Sequence, residues 1–238
     1  MMKQTGIVFD RADSDVYRKG RAGGLYALQD ALDLLASGRH EAVLLGGVDT
    51  YMDPHLLAVL DSQNRVLADG VMNGFCPGEG AGFVLLCSEK ARAAYNLKPV
   101  AKVHRPGLAL EPGHRYSKEP YRGDGLADAV RGALEVGVPP IGTVLSSFNG
   151  EHFGTKEWGV AFLRNRDRFV DSPKTVYPAD SFGDIGAAFA PVLMGLAARG
   201  MNKGYYKGPS LRDPHEFTTH HRVLVPFHAR FSLPTRCH

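Results

Sequence analysis

The chain has 238 residues, 44% of them apolar and 22% charged, with a net charge of +3. This composition is typical of a globular protein, and the small, scattered positive charge argues against a nucleic-acid partner. No apolar stretch reaches the ~18 residues that a membrane helix needs, so we expect no membrane span.

The first half of the chain alternates between helical and strand-like segments. Leucines recur at spacings of three and four in GGLYALQDALDLLAS (23–37), which predicts an amphipathic helix that ends at Gly38. The continuous apolar run EAVLLGG (41–47) predicts a strand buried on both faces. The next predicted elements are a short helix at 53–60, a strand at 82–87 and a helical turn capped by Ser88.

The second half continues this alternation. The predicted elements are an extended segment at 99–104, helices at 124–136, 155–169 and 184–199, and strands at 142–148 and 175–177. The helix at 184–199 is apolar on all sides, as expected for a helix buried between layers. These patterns predict a layered α/β fold with mixed sheets and a buried central helix.

The composition changes after Gly204. Residues 205–238 contain five of the ten histidines and four prolines, and only RVLVPF resembles a strand. We therefore predict one domain at 1–204 and a divergent or weakly ordered tail at 205–238.

The three cysteines (Cys76, Cys87 and Cys237) form neither a paired disulfide framework nor a CxxC motif. This usage favours a reducing, cytoplasmic location. The tail histidines match no zinc spacing, so we expect neither a metal nor a cofactor.

The stretch GFCPGEGAGFVLL (74–86) contains a cysteine and a glutamate among glycines. It leads into a strand, whereas phosphate-binding glycine loops lead into a helix. Cys76 therefore has no helix N-terminus nearby to lower its pKa, which favours a packing role over that of a nucleophile. Glu79, beside an apolar strand, must be ion-paired or hydrogen-bonded.

Three segments together resemble the β-ketoacyl-acyl-carrier-protein synthases of the thiolase fold: ALQDALDLLASGRHEAVLLGGVD, GFCPGEGAGFVLL and GDIGAAFAP. The resemblance implies a layered α/β/α/β/α fold and covers roughly residues 20–200. It implies that the chain corresponds to the later part of such a synthase, without the family's first strands. It also implies acyltransferase ancestry, with acyl-carrier protein or acyl-CoA as the partner.

In that family a cysteine at a helix N-terminus takes the acyl group, and two histidines promote decarboxylation and condensation. Counting back from the glycine pair at 46–47 places Arg21 in the nucleophile position. A guanidinium stays protonated and cannot be acylated. The Arg18–Arg21 segment is either an anion site at a helix start or a solvated loop.

The two histidine positions are also replaced. The first falls on Asn149, with Glu157 in the acidic position eight residues later; a competing register places His152 there instead. The second falls on Asp184 when the family's Gly-His pair is matched, and on Gly183 when the Gly-Ala-Ala run is matched. These residues and Glu151 are expected to converge on one ligand pocket, with Glu79, Glu151 and Phe75 as the substrate contacts.

Three functions remain open from the sequence. The first is a catalytically silent ketosynthase-like protein that acts as a chain-length-factor-like partner of an active ketosynthase, or as a homodimer. The second is altered acid–base chemistry on a thioester by Glu151 or Glu157 with His152. The third is a binding module for acyl-carrier protein or acyl-CoA.

Overall fold

A computed structural model describes residues 6, 8–134 and 140–206 of the chain. Its helices are α1 (Gly20–Ala36), α2 (Pro54–Ser62), α3 (Glu89–Ala94), α4 (Asp124–Ala133), α5 (His152–Arg164), α6 (Ala179–Phe182) and α7 (Phe189–Asn202). Its strands are β1 (Ala42–Thr50), β2 (Glu79–Cys87), β3 (Ile141–Leu145) and β4 (Phe169–Val176). Short 3-10 turns occupy Arg166–Arg168 and Gly186–Ala188.

The four strands form one antiparallel pair and one parallel pair. Strand β1 runs antiparallel to β2, with Ala42 opposite Cys87 and Thr50 opposite Glu79. Strand β3 runs parallel to β4, and a shift in register lies between Ile141 and Thr143. The helical connection between β3 and β4 is what a parallel pair requires.

The first hydrophobic core lies between α1, α7 and the inner face of the β1–β2 sheet. Leu28 of α1, Leu45 of β1 and Leu193 of α7 are all buried in it. The helices approach closely at Gly24, where an added Cβ would lie 2.3 Å from the Cβ of Ala190. Helix α7 is therefore the buried central helix that its apolar sequence predicts.

A second core lies under the β3–β4 pair. Val130 of α4, Trp158 and Ala161 of α5, Val144 of β3 and Phe169 of β4 pack together there. The Trp158 and Phe169 rings meet edge to face, with centroids 5.8 Å apart. The predicted α/β architecture is thus confirmed.

The prediction that the strand at 41–47 is buried on both faces is wrong for the described residues. Leu45 is buried, whereas Leu44 and Val48 are exposed, as are Phe83 and Leu85 on the paired strand. Successive side chains in a strand point to opposite faces, so one face reaches α1 and α7. In the described part of the chain, the other face remains accessible and apolar.

The last predicted helix begins five residues later than expected, at Phe189. Gly183 and Gly186 have φ values of 75° and 51°, a left-handed conformation that interrupts a helix. Pro191 lies in the first turn of α7, where its missing N–H removes no intrahelical hydrogen bond.

Other boundaries also differ. The helix predicted at 155–169 spans His152–Arg164, and the strand predicted at 175–177 begins six residues earlier and spans Phe169–Val176. No strand forms at 99–104, and the helix at 124–136 ends at Ala133 within the described residues. No described helix is long and apolar enough to cross a membrane. The predicted tail lies outside the described residues, apart from 205 and 206.

Candidate functional site

The three residues predicted to stand in the nucleophile position and the two histidine positions contact one another. Arg21, the second residue of α1, donates from Nε to Asp184 Oδ1 at 3.3 Å, and its Nη2 pairs with Asp184 Oδ2. Asn149, after β3, donates from Nδ2 to Asp184 Oδ2 at 2.8 Å. The start of α1, the loop after β3 and the segment before α7 therefore meet here. The catalytic positions assigned to these residues stay a prediction.

The glycine-rich stretch at 74–80 supports Asp184 through its backbone. The Asp184 N–H donates to the Cys76 carbonyl at 2.8 Å, and the Gly78 N–H donates to the Asp184 carbonyl at 2.9 Å. A Cβ at Gly78 would lie 2.5 Å from the Phe182 carbonyl oxygen, so only glycine fits there. Asp184 Oδ1 also accepts the N–H of Gly186 at 2.9 Å, which fixes the carboxylate in its buried position.

Glu151 is the second anionic centre of the site. Arg65 donates to it through two parallel hydrogen bonds, Nε to Oε1 at 2.9 Å and Nη2 to Oε2 at 3.0 Å. Arg115 Nη2 lies 2.6 Å from the same Oε1. Asn149 Nδ2 lies 3.3 Å from Oε2 and so links the two carboxylates. We call these six residues the polar cluster: Arg21, Arg65, Arg115, Asn149, Glu151 and Asp184.

Electrostatic interactions within the polar cluster keep Glu151 ionised near neutral pH. Burial alone would raise the pKa of Glu151, but the Arg65 hydrogen bond and the charges of Arg65 and Arg115 hold that pKa below its usual value. The hydrogen bond to Glu151 raises the pKa of Arg65. Burial lowers the pKa of Arg21, and the Glu151 charge opposes that effect. Glu151 is therefore a poor general acid, because its proton is lost well below neutral pH.

Aromatic rings surround the guanidinium groups. Arg21, Arg65 and Arg115 lie over Phe189, Phe75 and Phe153 at 5.9, 5.5 and 5.5 Å from the ring centroids. Phe75 is fully buried, and Tyr51 meets its edge at 5.2 Å. Burial raises the pKa of the Tyr51 phenol, so this hydroxyl remains a neutral donor beside the cluster.

Three further predicted site residues, Glu79, His152 and Glu157, are not among the six residues of the polar cluster. Glu79 is exposed and accepts a hydrogen bond from Thr50 Oγ1 at 3.2 Å. His152 begins α5 with its side chain exposed, and its backbone N–H donates to Asn73. Glu157 is buried further along α5. Their roles as acid, base or substrate contact remain untested predictions.

Sequence reasoning missed Arg65 and Arg115. Each lies in an irregular segment, so neither belongs to a periodic pattern that would have placed it. The available signal was Glu151 itself, since a buried carboxylate requires a cationic partner. That requirement does not say which arginine supplies the charge.

No thiol belongs to the polar cluster. Cys76 has an exposed side chain, although its carbonyl accepts the Asp184 N–H. Cys87 lies at the end of β2 and is half-buried. The cluster can therefore bind and orient charged groups, but its own side chains offer no thiolate for acyl transfer.

Among the described residues, one group is spaced closely enough to bind a metal ion. It consists of two aspartates of the N-terminal loop, Asp10 and Asp13, together with His40. The ligand atoms of Asp10, Asp13 and His40 lie within 4.8 Å of one another. His40 Nε2 already contacts Asp13 Oδ2 at 2.5 Å, and Arg39 pairs with Asp13 at 3.3 Å. This arrangement is accounted for as an ion-pair network.

Residues 21–92 match the family described as beta-ketoacyl synthase, N-terminal domain. A 91-residue segment is 34% identical to the partially reducing polyketide synthase tpeA of Talaromyces stipitatus; it covers 36% of this chain and 3% of that protein. The chain therefore spans a small fraction of this curated relative.

Solved structures show the same fold. The ishigamide ketosynthase/chain length factor superposes with a TM-score of 0.67 at 23% identity, covering 78% of this chain and 47% of that one. The ketosynthase in the AntDE:AntF acyl-carrier-protein complex gives 0.71 at 17% identity, covering 88% and 56%. The module 6 ketosynthase of the bacillaene synthase from Bacillus subtilis 168 gives 0.66 at 20% identity, covering 77% and 35%.

The family match begins at Arg21 and includes the glycine-rich stretch that supports Asp184. The described chain spans about a third to a half of these structural relatives. Both findings agree with the resemblance seen in the sequence. Residues 21–92 are therefore similar to the N-terminal domain of beta-ketoacyl synthases, and the described chain shares the α/β fold of solved ketosynthases.

Proposed function

We propose that the protein is a catalytically silent, ketosynthase-like component of fatty-acid or polyketide metabolism, with a chain-length-factor-like role. The observation that carries this proposal is the contact between Arg21, Asp184 and Asn149. A cationic side chain and its counterion occupy the place where the resemblance implies a thiolate and two imidazoles. Arginine remains protonated, so it offers no nucleophilic lone pair for an acyl group.

The cluster also argues against acid–base chemistry at Glu151. Both of its oxygens accept hydrogen bonds from arginine side chains, and its pKa is lowered. The side chain of His152, the other member of the proposed acid–base set, is exposed. We therefore favour a silent scaffold over an enzyme of altered acid–base chemistry.

The proposed partners are an acyl-carrier protein or acyl-CoA thioester, together with an active ketosynthase or a second copy of this chain. One solved relative is a ketosynthase/chain length factor, and another is a ketosynthase bound to its acyl-carrier protein. The apolar outer face of the β1–β2 sheet, with Val48, Phe83 and Leu85 exposed, supports a protein partner on that side.

Intact-mass spectrometry tests the absence of covalent chemistry. The native protein is incubated with malonyl-CoA, acetyl-CoA and an acylated carrier protein, and malonyl decarboxylation is followed in parallel. We expect neither adduct nor decarboxylation. An adduct that disappears in Cys76→Ser or Cys87→Ser would assign a nucleophile to a thiol outside the cluster and overturn the proposal.

A gain-of-function variant tests the positions themselves. Arg21→Cys, Asn149→His and Asp184→His are combined, because Arg21→Cys alone would leave the buried Asp184 carboxylate without its guanidinium. We expect acylation at position 21 in the triple variant. Arg18→Cys is the matched control, because Arg18 is exposed three residues earlier and its replacement adds a thiol outside the cluster. Equal labelling of both variants would contradict the assigned positions.

A further inference from the structure

The polar cluster carries one more positive charge than its own carboxylates neutralise. Arg21, Arg65 and Arg115 supply three guanidinium charges, and Glu151 and Asp184 supply two carboxylate charges. Burying an uncompensated charge is costly, so such an excess favours an anion. Burial has the largest effect in lowering the pKa of Arg21, and the charges of Arg65 and Arg115 lower that pKa further.

Neighbouring acidic residues do not remove this excess through direct contacts. Asp49 lies beside the turn at 186–188, but its carboxylate accepts the N–H of Ala187 at 2.7 Å. Among the described residues, no ion pair joins Asp49 to the cluster. Tyr51 faces Arg21 and Arg65 as a neutral phenol.

Arg115 provides a donor that the protein does not use. Its Nε is buried and has no hydrogen-bond partner among the described residues, although its Nη2 is paired with Glu151. An unpaired buried donor costs free energy that an incoming acceptor recovers. The side chains of Arg21, Arg65 and Arg115 remain 20–22% exposed, so part of each side chain reaches the protein surface.

We propose that the three arginines form a binding site for a compact oxyanion, and that this anion belongs to the acyl ligand. Carboxylate and phosphate groups share the required chemistry, since both accept hydrogen bonds from the guanidinium fork. The carboxylate would be that of a dicarboxylic acyl group, and the phosphate that of a pantetheine arm. The site thus selects ligands by a negative charge rather than by a thioester reaction.

This inference rests on the proposed function in one respect, which is that Arg21 is not acylated. The proposed function and the anion site can be refuted by different measurements. An acyl adduct on the protein would remove the proposed function and leave the anion measurement intact. If no anion binds, the anion site is refuted, but the proposal that the protein is not acylated still stands.

Isothermal titration calorimetry on the full chain tests the site with small probes. Monomethyl malonate carries one carboxylate, dimethyl malonate carries none, and inorganic phosphate represents the second source. We expect monomethyl malonate or phosphate, or both, to bind, and dimethyl malonate not to bind. Their relative affinities identify the source of the anion. Absence of binding by both anions, or equal binding of the diester, would overturn the proposal.

Arg115→Gln is the decisive variant, because Glu151 keeps its two hydrogen bonds to Arg65. We expect at least a tenfold loss of anion affinity. Arg131→Gln is the matched control, since Arg131 is exposed and pairs only locally with Asp128; its affinity should match the native value. If Arg115→Gln does not fold, Arg115→Lys retains the charge and removes Nε, and a threefold or greater loss is expected. Native affinity in the folded Arg115 variant would overturn the site.

Discussion

Replacing Glu151 with glutamine should destabilise the protein more than any replacement of an exposed carboxylate. Glu151→Gln keeps the size of the side chain and removes its charge. Arg65 and Arg115 then lose the counterion that both contact. Asn149 also loses an anionic acceptor at 3.3 Å.

The magnitude follows from how deeply the charges are buried. Breaking a fully buried ion pair costs roughly 3–5 kcal/mol. Arg65 and Arg115 are 20% and 22% exposed, so water recovers part of that loss. The glutamine oxygen also remains an acceptor. We therefore expect about 2–3 kcal/mol, which corresponds to a fall in Tm of roughly 4–12 °C for a domain of this size.

Urea unfolding followed by circular dichroism measures this change. Glu89→Gln is the matched control, because Glu89 is exposed and pairs with Arg92 three residues away. We expect the control to unfold at the native midpoint. If Glu151→Gln unfolds at the same midpoint as Glu89→Gln, the buried ion pair does not stabilise the fold and the reasoning is refuted.

Three further predictions concern pH, packing and capping. The lowered pKa of Glu151 means that its stabilisation is present above the unfolded value of about 4.3 and is lost as pH falls through the folded value. The difference between native protein and Glu151→Gln should therefore be constant from pH 8 to 5 and shrink in acid; a constant difference down to pH 2 contradicts this. Gly24→Ala should cost about 1–3 kcal/mol because its Cβ meets Ala190, whereas Gly159→Ala, in open space on α5, should stabilise by up to about 1 kcal/mol; equal midpoints would refute the close approach. Asp53→Ala should cost about 1 kcal/mol by removing the cap on the Leu56 N–H, and Asp53→Asn should retain most of it; both are measured by thermal unfolding.

The sequence predicted those elements whose formation depends on local patterns. The leucine spacing located α1, and the Asp53–Pro54 pair located the start of α2 because the aspartate accepts the Leu56 N–H. Ser88 caps α3 in the same way, through the Ala91 N–H. These signals act over three or four residues, so they can be recognised without knowledge of the fold.

Features that depend on distant contacts were less predictable. The late start of α7 reflects left-handed glycines whose conformations are set by packing against Asp49 and the Cys76 carbonyl. The exposed outer face of β1 and β2 depends on which elements cover the sheet, and strand composition alone does not give this. Arg65 and Arg115 were missed for the same reason, since they lie 86 and 36 residues from Glu151 in sequence.

The contacts within the polar cluster also bear on whether the site has lost its function. Loss of a thiol and two imidazoles without compensation would leave buried polar groups unpaired at a cost of about 1–3 kcal/mol each. Here Arg21 is paired with Asp184, and Asn149 bridges Asp184 and Glu151. The replacements are therefore mutually stabilising. Arg115 adds a third guanidinium to these two carboxylates, and this excess of positive charge supports the proposed anion site.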